Sequence, residues 1–422
     1  MKKGIKVLTM AVLLTMITSA ISCKRNNYVS KNTDELQGKV TILTDKNHEQ
    51  SLKMAVQSFQ KLHKKVNIDL KVDDNSYGKF EESVKNKDKT IDIITIDDSY
   101  TQYYLNKLPG AFLDVSDDMG NYKNKVSKGK VGNLTQKSKV YGFPWSTSPK
   151  VILYRKDILD SEGINMNDTK TWDDYIEVGK KVIQDKGKKV IGNVENENSD
   201  IYLLLANQLG KSYFNEEGKP SFNDKEWISV VDMVKKMYSQ GTVCDYNTKE
   251  ELINAAKSEE IVSFIASPSD ISYFVNNVPD QKGKWSVMKL PSFEPGGNRD
   301  TSLGGCNLMI SKMSTNVKLS KEFINFTISD KEVDLDSMLK CGSFPVVNDI
   351  YNLEKFNKFE DYFNATVWDL LGNVENGAYA VTYTPYFFNI RYDVKNALAQ
   401  PNLVNKDTKT VLDSIQKYVE KK

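Results

Sequence analysis

Adjacent carboxylates and two histidines are the residues of this chain best suited to acid–base chemistry. Asp97 and Asp98 follow an apolar run. Adjacent side chains at the end of a strand point to opposite faces, so this pair does not flank one bond as hydrolytic carboxylates do. The only histidines, His48 and His63, are too few for most histidine-based sites, and the chain has no GxSxG, HExxH or GxxxxGK motif. These residue types favour binding over catalysis and indicate neither a cofactor nor a metal.

The elements that position these side chains alternate between strand and helix patterns. An apolar run over 40–43, alternating apolar residues over 66–72 and a second apolar run over 91–96 predict three strands. A helix pattern lies between the strands at 40–43 and 66–72. This β-α-β-β order predicts an α/β lobe with a mainly parallel sheet, whose ligand crevice lies beyond the carboxyl ends of the strands. The loops over 44–50 and from Asp97 onward should both face that crevice.

An apolar and aromatic stretch broken by prolines occupies residues 140–155. Because proline fixes φ and disfavours helix, Pro144 and Pro149 predict that this stretch runs extended from one lobe into another. A threonine followed by acidic residues then predicts a helix start at 171–174. Further helix patterns lie over 201–209, 227–238, 319–328 and 392–399.

Length and charge indicate two lobes and argue against a nucleic-acid surface. Of 422 residues, about 400 remain once a leader over 1–22 is removed, which is more than one compact core usually holds. The leader takes three of the 58 cationic residues, which leaves 55 Lys and Arg against 56 Asp and Glu, a formal charge of −1. That balance gives no reason to expect nucleic acid or an anionic membrane surface as a partner.

The first 23 residues indicate export. A cationic start, an apolar run over 7–21 and a small residue before Cys23 predict a signal peptide over 1–22 that ends in a lipoprotein cleavage box. Cys23 would then carry the lipid anchor, and residues 23–37 would form a lipidated tether. The alternative is an uncleaved transmembrane anchor. No second apolar run approaches the roughly 20 residues of a membrane helix.

The remaining cysteines, Cys244, Cys306 and Cys341, are odd in number and lack a CxxC spacing. A disulfide framework and a zinc site are therefore both poorly supported. Cys306 and Cys341 could pair, but buried apolar thiols are the favoured interpretation.

A series of different short motifs is spread over nearly the whole mature chain. They include Tyr141-Gly-Phe-Pro-Trp145, Tyr154-Arg-Lys-Asp-Ile158, Gly163-Ile164, Thr171-Trp-Asp-Asp174, Gly283-Lys-Trp-Ser-Val287, Gly304-Gly305, Glu322-Phe-Ile-Asn-Phe326 and Gly342-Ser-Phe-Pro-Val346. In this order and spacing the chain resembles the extracellular solute-binding proteins, family 1, the sugar-type receptors of ABC importers.

The resemblance implies a two-lobed, hinged α/β fold of the periplasmic-binding-protein type, in which each lobe is a mainly parallel sheet flanked by helices. The N-terminal lobe would comprise 38–147 with 304–343, and the C-terminal lobe 148–303 with 344–422. The chain would cross between lobes near 146–150, near 300–305 and again after 342–346. Ligand would lie between the lobes.

The resemblance also implies a carbohydrate ligand, of oligosaccharide size, delivered by a lipid-anchored monomer at the outer face of the cell membrane to the transmembrane subunits of an ABC permease. Sugars offer hydroxyl groups and apolar C–H faces, which carboxylates, amides and aromatic rings recognise. Where the family often has Gly and Trp, this chain has Ser267 and Ser269, so no particular sugar specificity transfers. Candidate ligand-binding residues are Asn47, His48, Glu49, Asp97, Asp98, Tyr100, Trp145, Ser269, Gly304, Gly305, Tyr386, Phe387 and Phe388.

Alternatives stay open at several of these positions. Glu49 and Asp98 could be solvated loop carboxylates, and Trp145 could pack in the hinge. At least one of the three aromatic residues over 386–388 must be core, because three consecutive rings do not face one way. For the whole chain, the alternatives are an exported glycoside hydrolase and a surface module that binds polysaccharide.

Overall fold

The computed structural model describes residues 36–122, 124–194, 200–399, 403 and 405–421. The predicted signal peptide, the predicted lipidation site at Cys23 and nearly all of the predicted tether lie outside these residues. Leu36 is buried and Gln37 begins the first strand, so the last two residues of the predicted tether belong to the folded body. None of the described helices has the length and apolar character needed to cross a membrane.

The described strands form two five-stranded sheets and two short ribbons. They are β1 Gln37–Thr44, β2 Lys65–Val72, β3 Ile93–Asp97, β4 Thr135–Gln136, β5 Lys139–Val140, β6 Phe143–Pro144, β7 Ser146–Thr147, β8 Val151–Arg155, β9 Lys189–Val194, β10 Val243–Tyr246, β11 Ile261–Ala266, β12 Trp285–Lys289, β13 Cys306–Ile310 and β14 Phe344–Pro345.

The first sheet has the strand order β2-β1-β3-β13-β6. Strand β1 pairs in parallel with β2 and β3, whereas β13 runs antiparallel to both β3 and β6. Both faces of the sheet are covered, since Val40 and Ile42 belong to one buried core and Leu43 to another. This two-sided burial explains why the strands are near-continuous apolar runs in the sequence.

The second sheet repeats this arrangement with the order β10-β9-β11-β8-β12. Strands β9, β10 and β11 pair in parallel, and β8 runs antiparallel to β11 and β12. The predicted two-lobed α/β fold is confirmed, but each sheet is parallel in only one half. Strands β8 and β13 start where the chain enters a lobe from the other lobe, so they run away from the interface at which the parallel strands end.

Helices flank both sheets. They are α1 Lys46–Leu62, α2 Ser76–Lys85, α3 Asp98–Lys107, α4 Lys128–Asn133, α5 Lys156–Ser161, α6 Trp172–Lys186, α7 Ile201–Gln208, α8 Lys225–Ser239, α9 Lys249–Lys257, α10 Pro268–Asn277, α11 Val317–Ser329, α12 Lys331–Cys341, α13 Val367–Gly377, α14 Phe387–Ala397 and α15 Thr408–Val419.

Local sequence fixes several of these helix starts. Helix α6 begins as predicted, because the Thr171 hydroxyl accepts from Asp174 N at 3.1 Å and the Asp174 carboxylate accepts from Thr171 N at 2.8 Å. Helix α14 begins at Phe387, five residues before the predicted start, because Phe387 and Ile390 already face the core of the second lobe.

Three crossing segments, residues 146–150, 301–305 and 342–346, connect the two sheets. Strand β7 of the first segment pairs with β14 of the third, and Pro149 forms a bridge with Ser302 of the second. The chain therefore leaves the first sheet at β6, enters the second at β8 and returns from β12 to β13. By their contacts the two lobes form one compact unit.

Candidate ligand-binding site

Two cavities lie beside the crossing segments, and each is lined by residues of both lobes. The tyrosine cavity, of about 260 Å³, is named for Tyr379 and Tyr383 in its wall. The histidine cavity, of about 600 Å³, is named for His48. Consecutive residues point into different cavities: Asp98 and Gly304 line the tyrosine cavity, and Asp97 and Gly305 line the histidine cavity. This alternation is expected where extended segments run between two spaces.

Asp98 fixes the first-lobe wall of the tyrosine cavity. Its carboxylate is almost fully buried, pairs closely with the ammonium of Lys130 and accepts from Asn307 Nδ2 at 3.0 Å. Asn133 Nδ2 donates to the Asp98 carbonyl at 2.9 Å, and Asp98 N donates to the Gly305 carbonyl at 3.0 Å. The side chain of Asp98 thus joins α3, α4 and β13 beside a crossing segment.

Three buried polar atoms in the tyrosine cavity have no hydrogen-bond partner among the described residues. They are Asn133 Oδ1 from the first lobe and Glu375 Oε2 and the Tyr383 hydroxyl from the second. Burial raises the pKa of the Glu375 carboxyl and of the Tyr383 phenol above their usual values, although Ser302 and Thr147 beside Glu375 and the Gly304 backbone beside Tyr383 oppose that rise. Because an unsatisfied buried polar atom typically costs about 1–3 kcal/mol, three in one cavity favour a polar partner there, either water or a ligand.

Charges in the histidine cavity, in contrast, have partners within the protein. Lys249 Nζ lies 2.6 Å from Asp270 Oδ1, and His48 Nε2 lies 3.0 Å from Asp97 Oδ1. Lys150 is 2% exposed and donates to the Ser148 hydroxyl at 3.0 Å. Burial lowers the pKa of Lys150 to about 8.

Six of the predicted site residues line a cavity in addition to His48. Asn47, Asp97, Ser269 and Gly305 line the histidine cavity, and Asp98 and Gly304 line the tyrosine cavity. Gly305 has φ +116°, and a Cβ added there would lie 2.3 Å from the Ser146 carbonyl oxygen. Glycine is therefore required at 305 by close backbone approach, in addition to its place in the cavity wall.

Two predicted aromatic contacts lie in the cores instead. Trp145 is 2% exposed, belongs to the core of the first lobe and has its ring centre 5.6 Å from that of His48. Phe387 is fully buried in the core of the second lobe. Trp145 thus takes the packing role that the sequence left open, and Phe387 is the core member of the aromatic run.

The other predicted residues lie outside both cavities. Glu49 pairs with Lys53 one turn along α1. The rings of Tyr100 in the first lobe and Phe388 in the second are in contact, with centres 4.1 Å apart and planes tilted by 32°, so they form a contact between lobes. Tyr386 is 59% exposed. The prediction that these four residues line the ligand site is not supported by their positions.

Sequence reasoning missed the residues that give the tyrosine cavity its character. Lys130 and Asn133 lie on a six-residue helix without a clear apolar pattern. Glu375, Tyr379 and Tyr383 lie at or just after the end of α13. The only available signal was the pair of tyrosines between two helix patterns.

A two-lobed α/β chain with polar cavities at the junction of its lobes has the architecture of a ligand-binding receptor. The chain belongs to the bacterial extracellular solute-binding protein family, whose model matches residues 45–334. The predicted family is confirmed. Membership indicates an extracellular or periplasmic location.

Curated relatives and solved structures agree with this assignment. The chain is 28% identical to an arabinooligosaccharide-binding protein of Bacillus subtilis over 248 residues. This aligned stretch covers 57% of each protein. It is 26% identical over 284 residues to a lactose-binding protein of Rhizobium radiobacter, with 66% of each covered. The matches thus span about three fifths of these relatives. Maltose-bound MalE3 of T. maritima has the same fold, with a TM-score of 0.75, 19% identity, and 90% of this chain and 99% of that chain covered.

Proposed function

We propose that this chain is the substrate-binding receptor of an ABC importer and that it captures a carbohydrate in the tyrosine cavity. The observation that carries the proposal is the set of three unpartnered buried polar atoms contributed by both lobes. Family membership and relatives named for arabinooligosaccharide and lactose support a sugar as the ligand. Delivery to the transmembrane subunits of a permease belongs to the same proposal.

A sugar matches the chemistry of these atoms. Glu375 Oε2 and Asn133 Oδ1 accept hydrogen bonds from hydroxyl groups, and the Tyr383 hydroxyl donates to a hydroxyl or ring oxygen. Tyr379, which is 53% exposed in the cavity wall, offers a ring for an apolar C–H face. The cavity of about 260 Å³ is small for a ligand site, so we propose that it holds one end of an oligosaccharide.

Closure of the lobes would complete the site. Because Asn133 lies on the first lobe and Glu375 on the second, a sugar that bonds to both favours the closed arrangement over an open one. The three crossing segments are the proposed hinge, with the lobes divided at 147/148, 303/304 and 343/344. The ring contact between Tyr100 and Phe388 would be broken when the lobes open.

A sugar screen followed by one substitution tests the proposal. Purified protein should show a rise in melting temperature with one class of sugar, since ligand at 100 times Kd stabilises the bound form by about 2.7 kcal/mol. Glu375→Gln should weaken that sugar by about 10- to 150-fold in titration calorimetry, the typical effect of losing a hydrogen bond to a charged group. Glu294→Gln, at an exposed glutamate that lines neither cavity, is the matched control. An unchanged Kd in Glu375→Gln would contradict the placement.

The same preparation distinguishes the rival functions. We expect the bound sugar to remain intact after long incubation, because the Asp98 carboxylate is already bonded to Lys130 and Asn307. Release of reducing ends would favour the hydrolase. Strong retention of intact polysaccharide with no affinity for short oligomers would favour the surface module.

Anchoring through Cys23 is a separate part of the proposal. It is supported by the small residue before Cys23 and by the extracellular family. Mass spectrometry of the native N-terminus should find a lipidated Cys23, and Cys23→Ala should release the protein from membranes. An unmodified Met1 in the mature protein would contradict the anchor.

A further inference from the structure

Three potential metal ligands converge at the wall of the histidine cavity. His48, Asp97 and Cys306 each offer one ligand atom, and these atoms all lie within 4.8 Å of one another. The Nε2 atom of His48 is 3.0 Å from Asp97 Oδ1. Of the two histidines in the whole chain, one is in this cluster.

The first sheet brings the three residues together. Cys306 is the antiparallel partner of Asp97, so the start of β13 lies beside the end of β3. Strand β1 is the other neighbour of β3, and α1 begins two residues after β1 with His48 in its first turn. All three ligands therefore belong to the first lobe.

Imidazole nitrogen, carboxylate oxygen and thiolate sulfur are the three ligand types that zinc uses in proteins, at about 2.0 to 2.3 Å. A site with three protein ligands keeps its fourth tetrahedral position open for water or for another ligand. Here that position would face the cavity, because His48, Asp97 and Ser146 line it, while Cys306 is fully buried behind them.

We propose that His48, Asp97 and Cys306 bind a divalent transition-metal ion, with zinc the best fit to this donor set. On binding, the Cys306 S–H bond breaks and a sulfur–metal bond forms, the His48 Nε2–H bond toward Asp97 breaks and a nitrogen–metal bond forms, and both protons pass to solvent.

Neighbouring groups hold the ligands in place. Cys306 N donates to the Ser146 hydroxyl at 3.1 Å, and Asp97 N lies 3.1 Å from the Tyr77 hydroxyl oxygen. The ring of Trp145 lies beside His48. Such surroundings orient metal ligands and limit access of water.

The metal proposal stands apart from the carbohydrate proposal, which depends on the tyrosine cavity. His48 and Asp97 line the histidine cavity, whose second-lobe wall includes Lys249 and Asp270 and none of the three atoms proposed to bind the sugar. Either proposal can therefore fail while the other holds.

Cobalt titration of the metal-free full chain tests the site. Thiolate bound to Co²⁺ produces a near-ultraviolet charge-transfer band, and we expect it to saturate at one ion per chain and to disappear when Zn²⁺ is added. Cys306→Ser should abolish the band, whereas Cys23→Ser, Cys244→Ser and Cys341→Ser should retain it. His48→Gln should weaken Co²⁺ binding by more than about 100-fold, the upper range for loss of an outer-sphere partner, and His63→Gln should not change it.

Two outcomes would overturn the site. One is the absence of a saturable band in the wild-type chain. The other is a band that survives both Cys306→Ser and His48→Gln. His48 is partly exposed, so we expect His48→Gln to fold. Co²⁺ binding can therefore be measured in that variant even if Cys306→Ser does not fold.

Discussion

The two cavities differ in how far the protein has already satisfied their polar groups. In the tyrosine cavity, Asn133, Glu375 and Tyr383 each retain a buried atom without a partner. In the histidine cavity, Ser272 Oγ is the one such atom among the described lining residues, while Lys249 is paired with Asp270 and His48 with Asp97. The unpartnered amide, carboxyl and hydroxyl groups of the tyrosine cavity suit a neutral ligand rich in hydroxyl groups. The converging nitrogen, oxygen and sulfur atoms at the wall of the histidine cavity suit a metal ion. The contrast teaches that cavity volume alone does not select the proposed sugar site, because the smaller cavity holds more buried polar atoms without partners.

The largest expected effect is on the wall of the tyrosine cavity. Asp98→Ala leaves the buried ammonium of Lys130 without its partner, which should destabilise the fold by about 3–5 kcal/mol. Chemical denaturation measures the change. Asp413→Ala, which breaks an exposed pair with Lys409, should cost at most about 1 kcal/mol. A similar small cost for both variants would show that Asp98 does not fix the wall.

The charge in the histidine cavity should appear in the pH dependence of stability. The folded state lowers the Lys150 pKa from 10.5 to about 8, so between these values the unfolded chain binds more protons and stability rises with pH. The wild type should therefore gain about 3 kcal/mol relative to Lys150→Met across that range. Urea unfolding from about pH 7 to about pH 10 measures the difference. If the free energy of unfolding changed with pH in the same way in the wild type and in Lys150→Met, the lowered pKa of Lys150 in the folded state would be contradicted.

Tyr383→Phe should move affinity and stability in opposite directions. The substitution removes a donor to the sugar and also removes an unsatisfied buried hydroxyl, so binding should weaken by about 1–2 kcal/mol while the ligand-free protein keeps or gains stability. Calorimetric titration paired with a melting curve measures both.

Tyr202→Phe is the matched control, because the Tyr202 hydroxyl donates to the Leu398 carbonyl at 2.9 Å. That variant should lose about 1 kcal/mol of stability and retain its sugar affinity. If Tyr383→Phe behaved in the same way, the Tyr383 hydroxyl would be structural.

The smallest expected effect is on the contact between lobes. Phe388→Ala removes the ring contact with Tyr100, a pair worth about 0.5–1.5 kcal/mol, so sugar affinity should fall by about 2- to 13-fold as the open arrangement gains population. X-ray scattering of the ligand-free protein should show a larger radius of gyration. Tyr386→Ala, at an exposed ring, is the control, and equal effects of both variants would rule out a role for the ring contact.

Local patterns predicted the elements well. The strands at β1, β2 and β3 follow from apolar runs, and the start of α6 follows from its capping residues. The loops after β1 and β3 were correctly placed at the junction of the lobes, because parallel strands end at one edge. The antiparallel halves of the sheets were not foreseen, since they depend on where the chain re-enters each lobe.

Site residues were harder to predict. Contacts between residues far apart in the sequence decide whether a side chain lies in a core or in a cavity wall. Trp145 and Phe387 are large rings near the junction, and nothing local shows that both lie in cores. The cluster of His48, Asp97 and Cys306 joins residues far apart in the sequence, so a search for short metal-binding spacings did not find it. Asn133 and Glu375 were missed for the same reason.

A crystal structure of the protein with the sugar selected by the thermal screen tests the central claim most directly. The account predicts electron density for the sugar in the tyrosine cavity, with hydroxyl groups within hydrogen-bond distance of Asn133 Oδ1, Glu375 Oε2 and the Tyr383 hydroxyl. Density for the sugar in the histidine cavity, against Lys150 and Asp270, with those three atoms still without partners, would contradict it.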